Sequence, residues 1–309
     1  MTEVDADAEL SAARSLIRTG NIDGAIKRLR TVLAARPDDV TALGLLSMCE
    51  HDQGRLAEAI RTAKATVAAD PESAWARSVL GIALSAKGKE SAAVEAFRDA
   101  LRLDADDALA PPRLARILWR RGRWAEAEEL LRQALQRRPD DVPLMVALAD
   151  LLMERGRLDE AAPLVRQAVT EEPDSTDALA SMGHLALRRG DRDKALDCAL
   201  WALRQDATDP DAIQLYCLAR ASRNPLFGIW LRYASYMSRF SRFGRIGVSI
   251  ALIFAVRVVG TALTAVVPPL GALVIFGLFG FVVLTWVAPW YLNRLIKRET
   301  KAVALRPTF

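Results

Sequence analysis

Chemistry-bearing side chains are scarce in this 309-residue sequence. There are two histidines, His51 and His184, far apart in the chain, and three cysteines, Cys49, Cys198 and Cys217, with no CxxC pair among them. An odd, widely spaced cysteine set argues against a disulfide framework or a zinc ribbon and is compatible with a reducing compartment. Such cysteines read as small buried hydrophobes. Two distant histidines leave no material for a His-rich metal site. No GxSxG, P-loop, HExxH or GxGxxG motif occurs. Asp52 follows His51, but adjacent positions on a helix point in different directions and are not expected to form a dyad. These absences predict no catalytic residue, no metal, no cofactor and no enzyme activity. The N-terminus, MTEVDADAEL, is acidic and has no apolar core, so no secretory signal peptide is expected.

Acid is also missing from one end of the chain. Residues 224–309 hold ten basic residues and a single acid, Glu299, whereas residues 1–223 hold 32 basic residues and 37 acids. The net charge of +4 and the 51% hydrophobic content are therefore averages over a mildly acidic first module and a basic, apolar second one.

What is present in the first module is a repeat. Glycine stands at Gly20, Gly54, Gly88, Gly122, Gly156 and Gly190, 34 residues apart without insertion. Five residues after each comes alanine: Ala25, Ala59, Ala93, Ala127, Ala161 and Ala195. Seven before each lies a small residue: Ala13, Ser47, Gly81, Ala115, Ala149 and Gly183. Seventeen after it stands Pro37, Pro71, Pro139 or Pro173, replaced by Ala105 and Ala207 in the third and sixth units. Apolar residues recur at helical period on both sides of every glycine, so each unit is read as two short helices joined at the glycine and closed by proline. A single pair cannot bury its apolar face, so six in series are expected to stack into a solenoid.

This in-phase pattern of small residue, glycine, alanine and proline resembles the tetratricopeptide repeat family across residues 6–209. The implied fold is all-α: six helix-turn-helix repeats (6–39, 40–73, 74–107, 108–141, 142–175, 176–209) after a flexible stretch 1–5, with residues 210–223 as a capping helix. Pro111–Pro112 are expected to delay the first helix of the fourth unit, and Pro163 to perturb the second helix of the fifth.

The resemblance implies a face lined by the first helix of every repeat that binds an extended peptide or a helix of a partner protein. The residues placed there are Arg14, Arg18, Met48, His51, Asp52, Trp75, Ile82, Arg116, Trp119, Arg120, Asp150, Glu154, His184 and Arg188. The asparagine and lysine set that clamps a C-terminal carboxylate in chaperone-binding relatives is not present. The densest stretch, RLARILWRRGRW, carries Arg113, Arg116, Trp119, Arg120, Arg121, Arg123 and Trp124. It reads either as a grip for an acidic or phosphorylated segment or as a solvated basic helix end with Trp124 packed in the repeat core. Nucleic acid is not expected, because the repeat module is net negative and a phosphate backbone needs a continuous basic face.

After Asn224–Pro225 the character changes. Residues 224–245 interleave Phe227, Trp230, Tyr233, Tyr236, Phe240 and Phe243 with Arg232, Arg239, Arg242 and Arg245. This chemistry suits a membrane interface with anionic lipid; the alternative is a segment docked on the repeat module, and both can hold together. Residues 246–267 contain one charge, Arg257, and residues 270–291 contain none. Each stretch of 22 residues would span about 33 Å as a helix, enough for a hydrocarbon core of about 30 Å. A two-helix transmembrane hairpin turning at Pro268–Pro269 is therefore expected. Basic residues outside both ends, including a tail 292–309, are expected to place the N- and C-termini in the cytoplasm, and the Ala- and Arg-rich composition points to a bacterial inner membrane. Arg257 is costly near mid-membrane. Either it meets a carboxylate or carbonyls of an integral membrane protein or a second protomer, or it snorkels while its segment tilts.

The functional expectation is a membrane-anchored adaptor that binds a protein partner at the cytoplasmic face. The alternative is an accessory or assembly subunit of a membrane enzyme or transporter complex, contacting it through the hairpin.

Overall fold

The computed structural model describes residues 3–222, apart from 206 and 208, together with Arg294. The described residues form helices and no strands. In chain order these are α1 (Glu3–Arg18), α2 (Ile22–Ala35), α3 (Val40–Asp52), α4 (Leu56–Ala69), α5 (Ala74–Ala86), α6 (Glu90–Leu103), α7 (Ala110–Arg120), α8 (Trp124–Arg137), α9 (Val142–Glu154), α10 (Leu158–Glu171), α11 (Thr176–Arg189), α12 (Arg192–Gln205) and α13 (Pro210–Ser222). Helix α1 already begins inside the stretch expected to precede the repeats. The chain divides into two compact units, Met1–Leu151 and Leu152–Phe309.

Each of the six phased glycines joins a first helix to a second one. All six adopt φ between 72° and 85°. At the turn after α3, Gly54 N–H donates to the His51 carbonyl (2.8 Å) and Arg55 N–H reaches back to the Glu50 carbonyl (2.8 Å), satisfying the last carbonyls of the helix. A Cβ built on Gly54 would meet nothing within 4 Å. It is therefore the left-handed backbone, not crowding, that demands glycine there.

The alanines five residues after the glycines are all 0% exposed. The small residues seven before them are all buried as well. These pairs let the two helices of a hairpin approach closely, and larger side chains fill the remaining space: Phe97 of α6 sits over Gly81 of α5, where a Cβ would come within 2.6 Å of its ring. In the first unit of the chain, second helices also pack on the first helix of the next repeat, as α2 does on α3, α4 on α5 and α6 on α7.

The first helices start on a second periodic feature. Asp39, Ser73, Asp107, Asp141, Ser175 and Asp209 stand 34 residues apart, and each side chain accepts a backbone N–H three residues on, from Ala42, Ala76, Ala110, Leu144, Ala178 and Ala212. This series carries α13 into the same register as the first helices. Gln214 and Arg220 of α13 are exposed, whereas Ala180 and Ala186, their equivalents 34 residues earlier, are buried. A polar outer face is what ends a stack of repeats.

The prolines behave unequally. Helix α7 starts at Ala110, two residues later in phase than α5 or α9, as Pro111–Pro112 require. Helix α10, by contrast, keeps the phase and 14-residue length of the other second helices through Pro163. Pro163 and Asp159, whose carbonyl loses its helical partner, both lie on the exposed side. In the third unit α6 ends at Leu103 without a proline, in the phase where α2 and α4 end before Pro37 and Pro71.

Candidate functional site

The first-helix residues singled out by sequence divide into those left open and those already committed. Arg14 and Arg18 on α1 and Arg116 on α7 are exposed, and none has a side-chain partner among the described residues. Met48 and Trp75 are partly buried against Ala59, Ala63, Val79 and Ala83. The ring of Trp75 rests on the backbone of Gly44 in the preceding first helix, so this indole is a packing element with one open edge. Ile82 is partly exposed on the same helix.

The arginine-dense stretch is mostly spoken for. Arg113 donates to the Leu109 carbonyl (3.1 Å). Arg120 and Arg121 both reach Glu90 at the start of α6, at 2.7 and 3.3 Å. Arg123 pairs with Glu126. Trp119 lies 5.7 Å, ring centre to ring centre, from the partly buried Trp124 at a tilt of 43°. Arg120 and Arg121 thus stitch this repeat to the one before it, Arg113 and Arg123 are held locally, and Arg116 beside Trp119 is what remains available. The stitch recurs: the residue before the turn glycine bonds a side chain 30 positions earlier in Gln53–Asp23, Arg121–Ser91 and Arg189–Asp159. Sequence reasoning missed this 30-residue offset, as it missed the cap series.

His51 and Asp52, not expected to pair, do: Nδ1 lies 3.0 Å from the carboxylate. Both stand in the last turn of α3, where exposed side chains can bend toward each other beyond the end of the helix. Among the described residues no reactive group joins them. Cys49 nearby is 1% exposed, and burial, reinforced by Asp52 and Glu50, pushes its thiol up to about 11. That is a protonated, inert sulfur.

In the second unit of the chain, Glu154 and Arg188 occupy the same place in successive repeats and form an ion pair. Arg188 also donates to the Met153 carbonyl (2.8 Å). His184 lies one turn before Arg188, and burial first, then the Arg188 charge, lowers its pKa, against the opposing pull of Asp211 and Glu154. Asp150 is half-buried and engaged. Among the described residues no cluster of His, Cys, Asp or Glu is placed to hold a metal ion.

An open cleft of about 580 Å³ lies between α6 and α8. Leu101, Leu114, Leu118 and Leu130 floor it, and an Arg98–Glu126 pair (3.2 Å) crosses it. No helix among the described residues is long and apolar enough to cross a membrane. The stretches 224–245, 246–267 and 270–291, with Arg257, and the tail 292–309 apart from Arg294, lie outside the described residues.

Stacked helical hairpins with small-residue contacts and left-handed glycine turns define a helical repeat protein. Two tetratricopeptide repeat family models match the sequence, one at residues 10–74, 52–108 and 113–178 and the other at 152–217. The chain belongs to the tetratricopeptide repeat family. No curated protein matches it. Among solved structures it is similar to a tetratricopeptide repeat protein from Parabacteroides merdae ATCC 43184, at 17% identity over 71% of this chain and 86% of that one, with a TM-score of 0.59. PilW, described as a widely conserved type IV pilus biogenesis factor, is similar at 16% identity over 69% of this chain and 98% of that one, with a TM-score of 0.53. Pseudomonas aeruginosa pilF is similar at 19% identity over 67% of this chain and 94% of that one, with a TM-score of 0.50. At these identities the likeness concerns the fold alone.

Proposed function

We propose that the chain is a non-catalytic adaptor that takes a segment of a partner protein on its first-helix face and is held at a membrane by residues 246–291. As a tetratricopeptide repeat protein it belongs to a family whose members bind protein partners. The observation that carries the reading is the company of Arg116: an exposed guanidinium without a partner among the described residues, next to the partly open Trp119, while Arg120, Arg121 and Arg123 beside it are paired. Arg14 and Arg18 are open in the same way. Guanidinium forks with an aromatic anchor favour a ligand segment that alternates acids with an apolar side chain.

The membrane part rests on the two 22-residue apolar stretches and the basic residues outside them. Tethering strengthens weak binding by raising the local concentration of the face near membrane-resident partners. Arg257 serves as a contact to a carboxylate of a membrane protein or a second protomer. If that contact is the main function, the chain is an accessory subunit and not a free adaptor.

Crosslinking in native membranes, followed by identification of the partner, tests both parts. Arg116→Glu combined with Arg14→Glu should remove the partner, while exchange of residues 246–291 for an unrelated hairpin should keep it. The opposite pattern would refute the adaptor reading. Recovery of the full chain in the alkali-soluble fraction would refute the tether.

A further inference from the structure

The outer face of α12 breaks the pattern of every other second helix. At the phase of Leu200 the five earlier repeats carry Arg30, Lys64, Arg98, Arg132 and Arg166, and at the phase of Trp201 they carry Thr31, Ala65, Asp99, Gln133 and Gln167. The sixth repeat replaces a basic position and one held by small or polar residues with leucine and tryptophan. Both are left open, Leu200 at 40% and Trp201 at 45% exposure. Adjacent large apolar side chains on a solvent face mark a contact surface more than a solubility device.

Acids accompany them. Asp193 and Asp197 stand one turn apart on α12, pointing between the directions of Leu200 and Trp201, and Arg204 closes the far end of the patch. The chain itself supplies matching chemistry close by. Ala219 of α13 packs with Ala195 of α12, and Ala212 packs with Ala202. The two helices are therefore antiparallel, and the chain leaves α13 at the Asp193 end of α12. Beyond α13, residues 224–245 carry four arginines, no acid and six aromatics.

We propose that the outer face of α12 docks the basic aromatic segment of the same chain, residues 226–243, with aromatics against Leu200 and Trp201 and arginines against Asp193 and Asp197. A segment joined to α13 by a few residues needs little intrinsic affinity, because its effective concentration at α12 is in the millimolar range or above.

The test uses the full chain in detergent micelles with a benzophenone amino acid replacing Leu200. After irradiation and digestion, mass spectrometry should map the crosslink to residues 224–245 in protein that still runs as a monomer. Two exposed ion pairs make the expected loss of yield in Asp193→Lys/Asp197→Lys about fivefold or more. Adding Arg232→Glu and Arg239→Glu should restore the yield. Crosslinks to detergent, to a second copy or to another part of the chain would overturn the proposal. So would a yield indifferent to the charge reversal, or one that the reciprocal change fails to rescue.

Discussion

The ring of Trp75 on α5 occupies the space that a Cβ on Gly44 of α3 would take. The indole is the side chain that fills the gap between two successive first helices there, and Met48 and Trp75 together close the small core around Ala59, Ala63, Val79 and Ala83. Gly44→Ala should therefore expel the indole and cost about 1–3 kcal/mol, the range for overpacking a tight contact. Urea denaturation followed by circular dichroism checks this. The Trp75→Ala background should absorb most of the penalty, because the two substitutions remove the same contact.

Asp107 is the one member of the series that is buried, 6% exposed, and it stands two residues before Leu109, the N-cap position of α7. Its Oδ1 accepts from Ser78 Oγ at 2.7 Å, from Ala110 N–H at 2.7 Å and from Leu109 N–H at 3.1 Å. Removing it orphans a buried hydroxyl and two backbone N–H groups at the start of α7 together. Asp107→Ala should cost about 2–4 kcal/mol, against about 1 kcal/mol for the simpler cap lost in Asp39→Ala. Paired urea melts decide it. Equal shifts in the two variants would show that the Ser78 bond contributes nothing beyond capping.

The repeat was legible because its most demanding positions admit few residues. A turn at φ near +75° needs glycine, and a helix contact at 0% exposure needs alanine, so both recur at 34. Prolines were a weaker guide, since Asp104 ends α6 where Arg36 and Asp70 end α2 and α4 with proline next in the chain. The candidate face was less legible for a physical reason. A family pattern places Arg120 and Trp75 on that face, but whether a side chain is spent internally depends on residues 30 or so positions away. Glu90 takes Arg120, and the absence of a side chain at Gly44 takes Trp75. The pairing of His51 with Asp52 likewise depends on their place in a helix's last turn, which a rule for helix interiors does not cover.

Thiol chemistry should be slow everywhere in the folded repeats. Cys49, Cys198 and Cys217 are all buried. Burial raises the thiol of Cys49 to about 11 and raises that of Cys198 despite the opposing charge of Lys194. At pH 8 the thiolate fraction of Cys49 is then lower than that of an ordinary cysteine by about two orders of magnitude. Reaction with an aromatic disulfide reagent should be at least about 100-fold slower in the native protein than in guanidinium chloride. His51→Ala should leave the Cys49 rate unchanged. A faster native reaction that His51→Ala abolishes would instead make the His51–Asp52 contact an activating one.

His184 gives the second unit a sensitivity to acid whose sign follows from its surroundings. Burial and the neighbouring Arg188 charge lower its pKa below the ordinary 6.5, with Asp211 and Glu154 only partly offsetting them. The folded state thus favours the neutral ring, and the unfolded chain binds a proton more readily as pH falls past 6.5. Stability should be full above that value and decline as the pH drops from 6.5 toward the lowered folded value, below which the loss is constant. Thermal melts between pH 7.5 and 5 check the slope on the wild-type chain. His184→Gln keeps a polar side chain of similar reach but cannot titrate, and should flatten the pH 5–6.5 part of the curve while leaving the carboxylate-driven loss at lower pH in place. An unchanged slope in that variant would mean that His184 is hydrated, and its proton unopposed, in the folded protein.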